Sequence, residues 1–164
     1  MAIPTWFRSG FYGGLGGAFL TALVLLWLWQ PERQVRRHTE NLFRSIEQKN
    51  WDRTADFIGG DYQDQWGHDR RQVIERLRDV FRYVRAARID PSPASVRVDK
   101  RRAQWTARIT FEADEGEITT LIKERVNLLT TPFELEWRCF SAKPWDWKLV
   151  HVSNSSLDIP ADAY

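Results

Sequence analysis

No charged side chain stands between Arg8 and Glu32. The run Gly10–Trp29 inside that interval reads GFYGGLGGAFLTALVLLWLW. As a helix rising ~1.5 Å per residue, about twenty such residues cross a ~30 Å hydrocarbon core. The residues left over make one domain, too small to enclose a helix apolar on all sides. The expectation is therefore a single-pass transmembrane anchor with the lipid bilayer as its first partner. A cleaved signal peptide fits less well, because the run outlasts an ordinary h-region and the following WLWQPER holds no small-x-small site. Trp6 and Phe7 flank one end and Trp27 and Trp29 the other. At helical rise Trp6 and Trp29 lie about 34 Å apart, as two interfacial belts require. Gly10, Gly14, Ala18 and Ala22 recur every fourth residue and form a helix-association face. Arg33, Arg36 and Arg37 outnumber Arg8 across the run, which slightly favours a cytoplasmic domain and leaves the side of the membrane open.

The division that follows is 1–31 for tail and span, 32–155 for one folded domain and 156–164 for a flexible tail. Pro31 ends the span and suits the first position of a new helix. From Arg33 to Gln48, Val35, Thr39, Leu42, Phe43 and Ile46 share one face at helical spacing. A short second helix runs from Trp51 to Ile58 and stops at Gly59–Gly60; Asp61–Trp66 reads as a brief strand or turn. A third helix, about Asp69–Tyr83, carries the stripe Val73, Ile74, Leu77, Val80, Phe81 and Val84. Beyond Arg85 the period falls to two. Ala87 and Ile89 begin a strand that PSP interrupts and Val96 and Val98 resume. Ala103, Trp105, Ala107, Ile109 and Phe111 then mark one face of a long strand. Ile118–Leu129 fits both periods, and a short helical insertion is preferred. Phe133–Cys139 and Trp147–Ser153 close the domain as a hairpin. Helices followed by antiparallel strands give an α+β domain, three helices packed on a curved, mainly antiparallel sheet.

The string HTENLFRSIEQKNWDRTADFIGGDYQD, with Asn50, Trp51 and Asp52 opening the second helix and Asp61–Tyr62 after it, resembles the start of the nuclear transport factor 2-like (SnoaL-like) superfamily. The closing WKLVHVSN resembles that superfamily's last strand, so the likeness covers Val35–Asn154. It implies a cone-shaped domain. Some members are pocket enzymes, such as ketosteroid isomerases and scytalone dehydratases, and many others only bind or assemble. The segment Glu115–Thr131 departs from the simplest form of the pattern.

A pocket enzyme of that kind needs a base and a hydrogen-bond donor converging in an apolar cone. Only Asp61, Tyr62, Asp64 and His151 can be assembled into such a set. Turn chemistry after Gly59–Gly60 explains the two aspartates equally well, and a sheet histidine paired with Glu134 or Glu136 explains His151. Trp51, Trp105, Trp137, Phe111 and Phe133 would crowd the cone, favouring a packed core over an open pocket. The expected function is a membrane-anchored, non-enzymatic binding or assembly module that self-associates; the alternative is a pocket enzyme or small-ligand carrier. No metal is expected, since His38, His68 and His151 have no ligand spacing, and no cofactor, since no phosphate-binding loop occurs. Cys139, the single cysteine, reads as a small strand hydrophobe.

Net charge is only +2, but residues 70–102 hold 11 basic against 4 acidic side chains and residues 103–164 hold 6 against 10. Arg71, Arg78, Arg82 and Arg85 on the third helix, with Arg101 and Arg102 at a turn, form a basic surface. A solvated helix face accounts for it; the partners that would fit it are anionic lipid or an acidic protein, with nucleic acid less favoured. Arg108 and Arg138 beside Glu134 and Glu136 would suit pairing of two sheet faces in a homo-oligomer.

Overall fold

The computed structural model describes residues 18–21 and 29–157. After Gln30, helix α1 spans Pro31–Glu47, α2 Trp51–Phe57 and α3 Arg70–Arg82. Strands follow: β1 Ala87–Pro91, β2 Ser95–Asp99, β3 Arg102–Ala107 and β4 Ile109–Ala113. Helix α4, Glu117–Asn127, precedes the closing strands β5 Phe133–Cys139 and β6 Trp147–Ser153. All strand pairs are antiparallel: β1 with β4 in one sheet, and β2-β3-β5-β6 in the other.

The first three helices each start at a residue suited to a helix N-terminus. Pro31 sits in the first turn of α1, where its missing N–H costs nothing. Asn50 caps α2 by accepting from the Arg53 N–H at 3.1 Å. Asp69 and Gln72 cap α3 reciprocally, at 2.8 and 3.0 Å. The apolar face of α1 is fully used: Val35, Thr39, Leu42, Phe43 and Ile46 are all buried against the concave side of the sheets. The stripe of α3 is used less fully, with Phe81 buried, Val73, Ile74 and Leu77 half-buried, and Val80 exposed.

The expected long strand is two. It breaks at Arg108, so that β3 joins the larger sheet while β4 turns to pair with β1. Side-chain alternation runs through the break and hides it. Segment 118–129 is helical up to Asn127, as α4, and fills the place of the insertion. Asn127 at its end holds the Phe111 backbone like a neighbouring strand, accepting from the N–H at 2.8 Å and donating to the C=O at 3.1 Å.

The expectation of a single-pass membrane protein is overturned. Among the described residues no helix is long and apolar enough to cross a membrane. The longest helix among the described residues, α1, is charged along its outer side at Arg36, Arg37, Glu40 and Arg44. Ala18 falls within the described residues; Gly10, Gly14 and Ala22 of the association face lie outside them, as does 158–164 of the expected tail. Ser156 and Leu157, at the start of that tail, are tied to Asn154 through backbone N–H bonds to its Oδ1, at 2.9 and 3.0 Å.

Candidate functional site

The interior of the cone is built by β3 and β5, whose alternation turns Trp105 and Trp137 inward beneath α1. They are 2% and 0% exposed. Phe43 meets Trp105 edge to face at 5.6 Å, and His38 meets Trp137 at 6.1 Å and Phe57 at 5.9 Å. A second line of rings, Trp51, Phe81 and Phe111, closes the other end, each 6.0 Å from the next. The space left nearby is a gap of about 200 Å³ between α1 and the β1–β2 connection, edged by Arg36, Glu40, Phe43, Ser92 and Trp105.

The four residues nominated for catalysis do not converge. Asp61 forms an ion pair with Arg138, which also lies 4.5 Å over the Phe140 ring. Tyr62 is buried, and burial beside Asp64 pushes its phenol far above the usual range, so it stays neutral. Asp64 is spent on its own loop: it accepts from the Trp66 and His68 N–H groups at 3.0 and 2.8 Å and from His68 Nδ1 at 3.0 Å. His151 Nδ1 is hydrogen-bonded to the Gln63 carbonyl. Two of the four, Asp61 and His151, do share a surface. They line one groove of about 1040 Å³ with Arg97, Gln104, Glu136 and Arg138.

That groove crosses all four strands of the larger sheet, with Glu32 at the start of α1 on its rim. The register sets Arg97, Gln104, Glu136 and His151 in one row across it. Asp99, Arg102, Arg138 and Lys148 form the next. Gln104 donates to Glu134 at 2.9 Å, and the Glu134–Glu136 pair expected beside Arg138 is in place. Arg108, expected with them, falls instead at the break between β3 and β4. On α3, Arg71 pairs with Glu75 and Arg82 with Asp79, at 2.9 and 3.2 Å, which offsets half of that basic face. Arg101 and Arg102 are exposed at the β2–β3 turn. Among the described residues no three His, Cys, Asp or Glu side chains are grouped to hold a metal ion.

Two contacts went unforeseen. The Asp64–His68 pair was readable in principle as Asp-x-x-x-His within a turn. The His38 link was not: its ring nitrogens face the Gln34 carbonyl at 2.9 Å and the Trp145 carbonyl at 2.8 Å, the second across 107 positions. Burial holds the His38 ring below the ordinary imidazole range, although both carbonyls pull the other way.

No protein-family model matches the sequence, and no curated protein does. Solved structures do match by shape. Bd1075 of Bdellovibrio bacteriovorus superposes with a TM-score of 0.58 at 8% identity; the match covers 75% of this chain, which spans only 40% of the length of that protein. A candidate dehydratase of the nuclear transport factor 2-like family from Streptomyces avermitilis gives 0.55 at 13% identity, over 75% of this chain and 94% of its own. A nuclear transport factor 2-like protein of unknown function from Pseudomonas putida gives 0.55 at 8% identity, over 74% and 82%. Likeness at such identities speaks for fold alone, and on that footing the described residues share the nuclear transport factor 2-like fold.

Proposed function

We propose that this chain is a non-enzymatic binding and assembly module that associates with itself. The observation that carries the reading is the filled cone: Trp105 and Trp137 occupy the space where a pocket enzyme of this fold would hold substrate. The scattered bonding of Asp61, Tyr62, Asp64 and His151 supports it, since a base already committed to a loop or an ion pair is not poised for proton transfer. Charged rows across an open sheet face are what a polar, reversible protein contact uses. Sedimentation of the full chain over a hundredfold range of concentration tests the reading. A dimer or larger species is expected; a monomer at every concentration would sink it.

A small-ligand reading has one observation in its favour. Asp61 and His151 line the same groove, and a structural neighbour is described as a candidate dehydratase. Thermal-shift screening with small aromatic and carbonyl compounds checks it. Binding that Asp61→Asn and His151→Ala both abolish would move the function to that groove.

A further inference from the structure

We propose that the outer edge of β2 is where two copies of this chain meet, strand against strand, with the two-fold axis at Val98. The proposal rests on the self-association reading and names its surface.

The other sheet edges are closed from within. Along β6, the Gly59, Gln63 and Gln65 N–H groups donate to the Leu149, Val150 and Val152 carbonyls at 2.8, 3.1 and 3.1 Å. On β1 the Ile89 N–H donates to Glu47 Oε1 at 2.7 Å, and on β4 Asn127 holds Phe111. β2 pairs with β3 on one side and has no such cover on the other among the described residues.

The ladder says which groups are left over. The Cys139 N–H donates to the Arg101 carbonyl at 2.9 Å, so alternate residues from Arg101 turn their peptide groups toward β5. Arg102, Gln104 and Thr106 turn theirs toward β2, where they meet Asp99, Arg97 and Ser95. Val96 and Val98 therefore point their N–H and C=O groups outward. Their side chains face the core, yet stay half-buried while their cross-strand neighbours Trp105 and Ala103 are buried. A strand laid along this edge would satisfy the backbone and finish covering the valines.

Charge chooses the occupant and the register. Directly opposed residues of an antiparallel pair lie on one face, so a two-fold axis must pass beside a single residue. Centred on Arg97, two guanidinium groups would be opposed in the closer type of pair, which is repulsive. Centred on Val96, Arg97 would meet Ser95 and Asp99 would meet Pro93. Centred on Val98, Arg97 of each copy meets Asp99 of the other, and the two Val98 residues exchange both backbone bonds. Arg97 and Asp99 are exposed, and neither has an ion-pair partner among the described residues. A short charged edge ordinarily discourages pairing with strangers. Here opposite charges two residues apart repel a uniformly charged edge and match this chain's own.

The test is the dissociation constant of the full chain, from sedimentation, for five proteins: wild type, Val98→Pro, Arg97→Asp, Asp99→Arg and the Arg97→Asp/Asp99→Arg double variant. Circular dichroism and melting temperature confirm folding of each. Val98→Pro removes an outward N–H while also altering a half-buried side chain, which the folding controls monitor, and each single charge change sets like charges together, so all three are expected to weaken association at least tenfold. The double variant restores the pairing with signs exchanged and is expected to return to within about threefold of wild type. In a Cys139→Ser background, Val98→Cys is expected to cross-link the two copies under mild oxidation. A wild-type monomer overturns both this proposal and the self-association reading. A wild-type dimer indifferent to the three single changes overturns the β2 interface and leaves association to another surface. A double variant as weak as the singles overturns the Val98 register and the proposal with it.

Discussion

Asn154 is a side chain on which three separate segments converge. It is 1% exposed. Its Oδ1 accepts from Thr131 Oγ1 at 2.9 Å as well as from the Ser156 and Leu157 N–H groups, and its Nδ2 donates to the Thr131 carbonyl at 3.0 Å. Its own backbone N–H donates to Gln65 Oε1, and Gln65 Nε2 returns a bond to its carbonyl. Asn154→Ala leaves several of these groups without partners, and a loss of about 2–3 kcal/mol is expected in urea unfolding. His38 carries a different prediction. Its ring is held below the ordinary value of 6.5 mainly by burial, with nearby Lys148 lowering it further and Asp146 raising it. The native state then binds fewer protons than the unfolded chain, so the contribution is complete above about pH 6.5 and is lost as pH falls below it. The melting temperature should fall from pH 7 to pH 5, and less steeply in His38→Gln.

At the scale of the element, what was legible was what is local. The 3.6-residue spacing of Val35, Leu42, Phe43 and Ile46 is a property of α1 itself, and all four are buried. Pro31, Asn50 and Asp69 act within a turn of their own position, and each stands at the helix start it marks. Asp69→Ala, by removing one half of the α3 capping box, is expected to cost about 1 kcal/mol, measured by equilibrium unfolding. The break at Arg108 was not legible, because it depends on which strands lie alongside. β3 takes Phe133–Arg138 as its partner, while β4 takes Ala87–Pro91, and neither choice is written in the alternation of residues 103–111. The partners of the candidate residues were illegible for the same reason: Asp61 meets Arg138 and His38 meets Trp145 across 77 and 107 positions, distances over which no spacing rule operates.

For the whole molecule, element order was enough to reach the nuclear transport factor 2-like fold. The apolar run before it was over-read. A length criterion states that a span is possible, and the described residues hold no helix that meets it. The ring-filled cone, by contrast, followed from composition: with 9 tryptophans and 9 phenylalanines in the chain, a domain of this size must put several of them inside. Association through β2 would join the two larger sheets into one of eight strands, carrying the charged groove across the junction. Because the contact would rest in part on exposed Arg97–Asp99 pairs, it should weaken several-fold between about 0.05 and 0.5 M salt, as screening shortens the Debye length from ~14 Å to ~4 Å. Isothermal dilution calorimetry at the two salt concentrations reads that change.

The contact between His38 and Trp137 has an optical consequence. Trp137 is wholly enclosed, and its indole N–H meets no acceptor among the described residues. An indole so enclosed emits toward the blue, and an imidazole quenches such emission more strongly when it carries a proton. The difference between the fluorescence of wild type and of Trp137→Phe therefore isolates one ring among the tryptophans and reports the charge on its neighbour. The same signal also reads whether the tip holding Trp145 stays fastened to α1. The core thus contains an indicator for its own state, without any label.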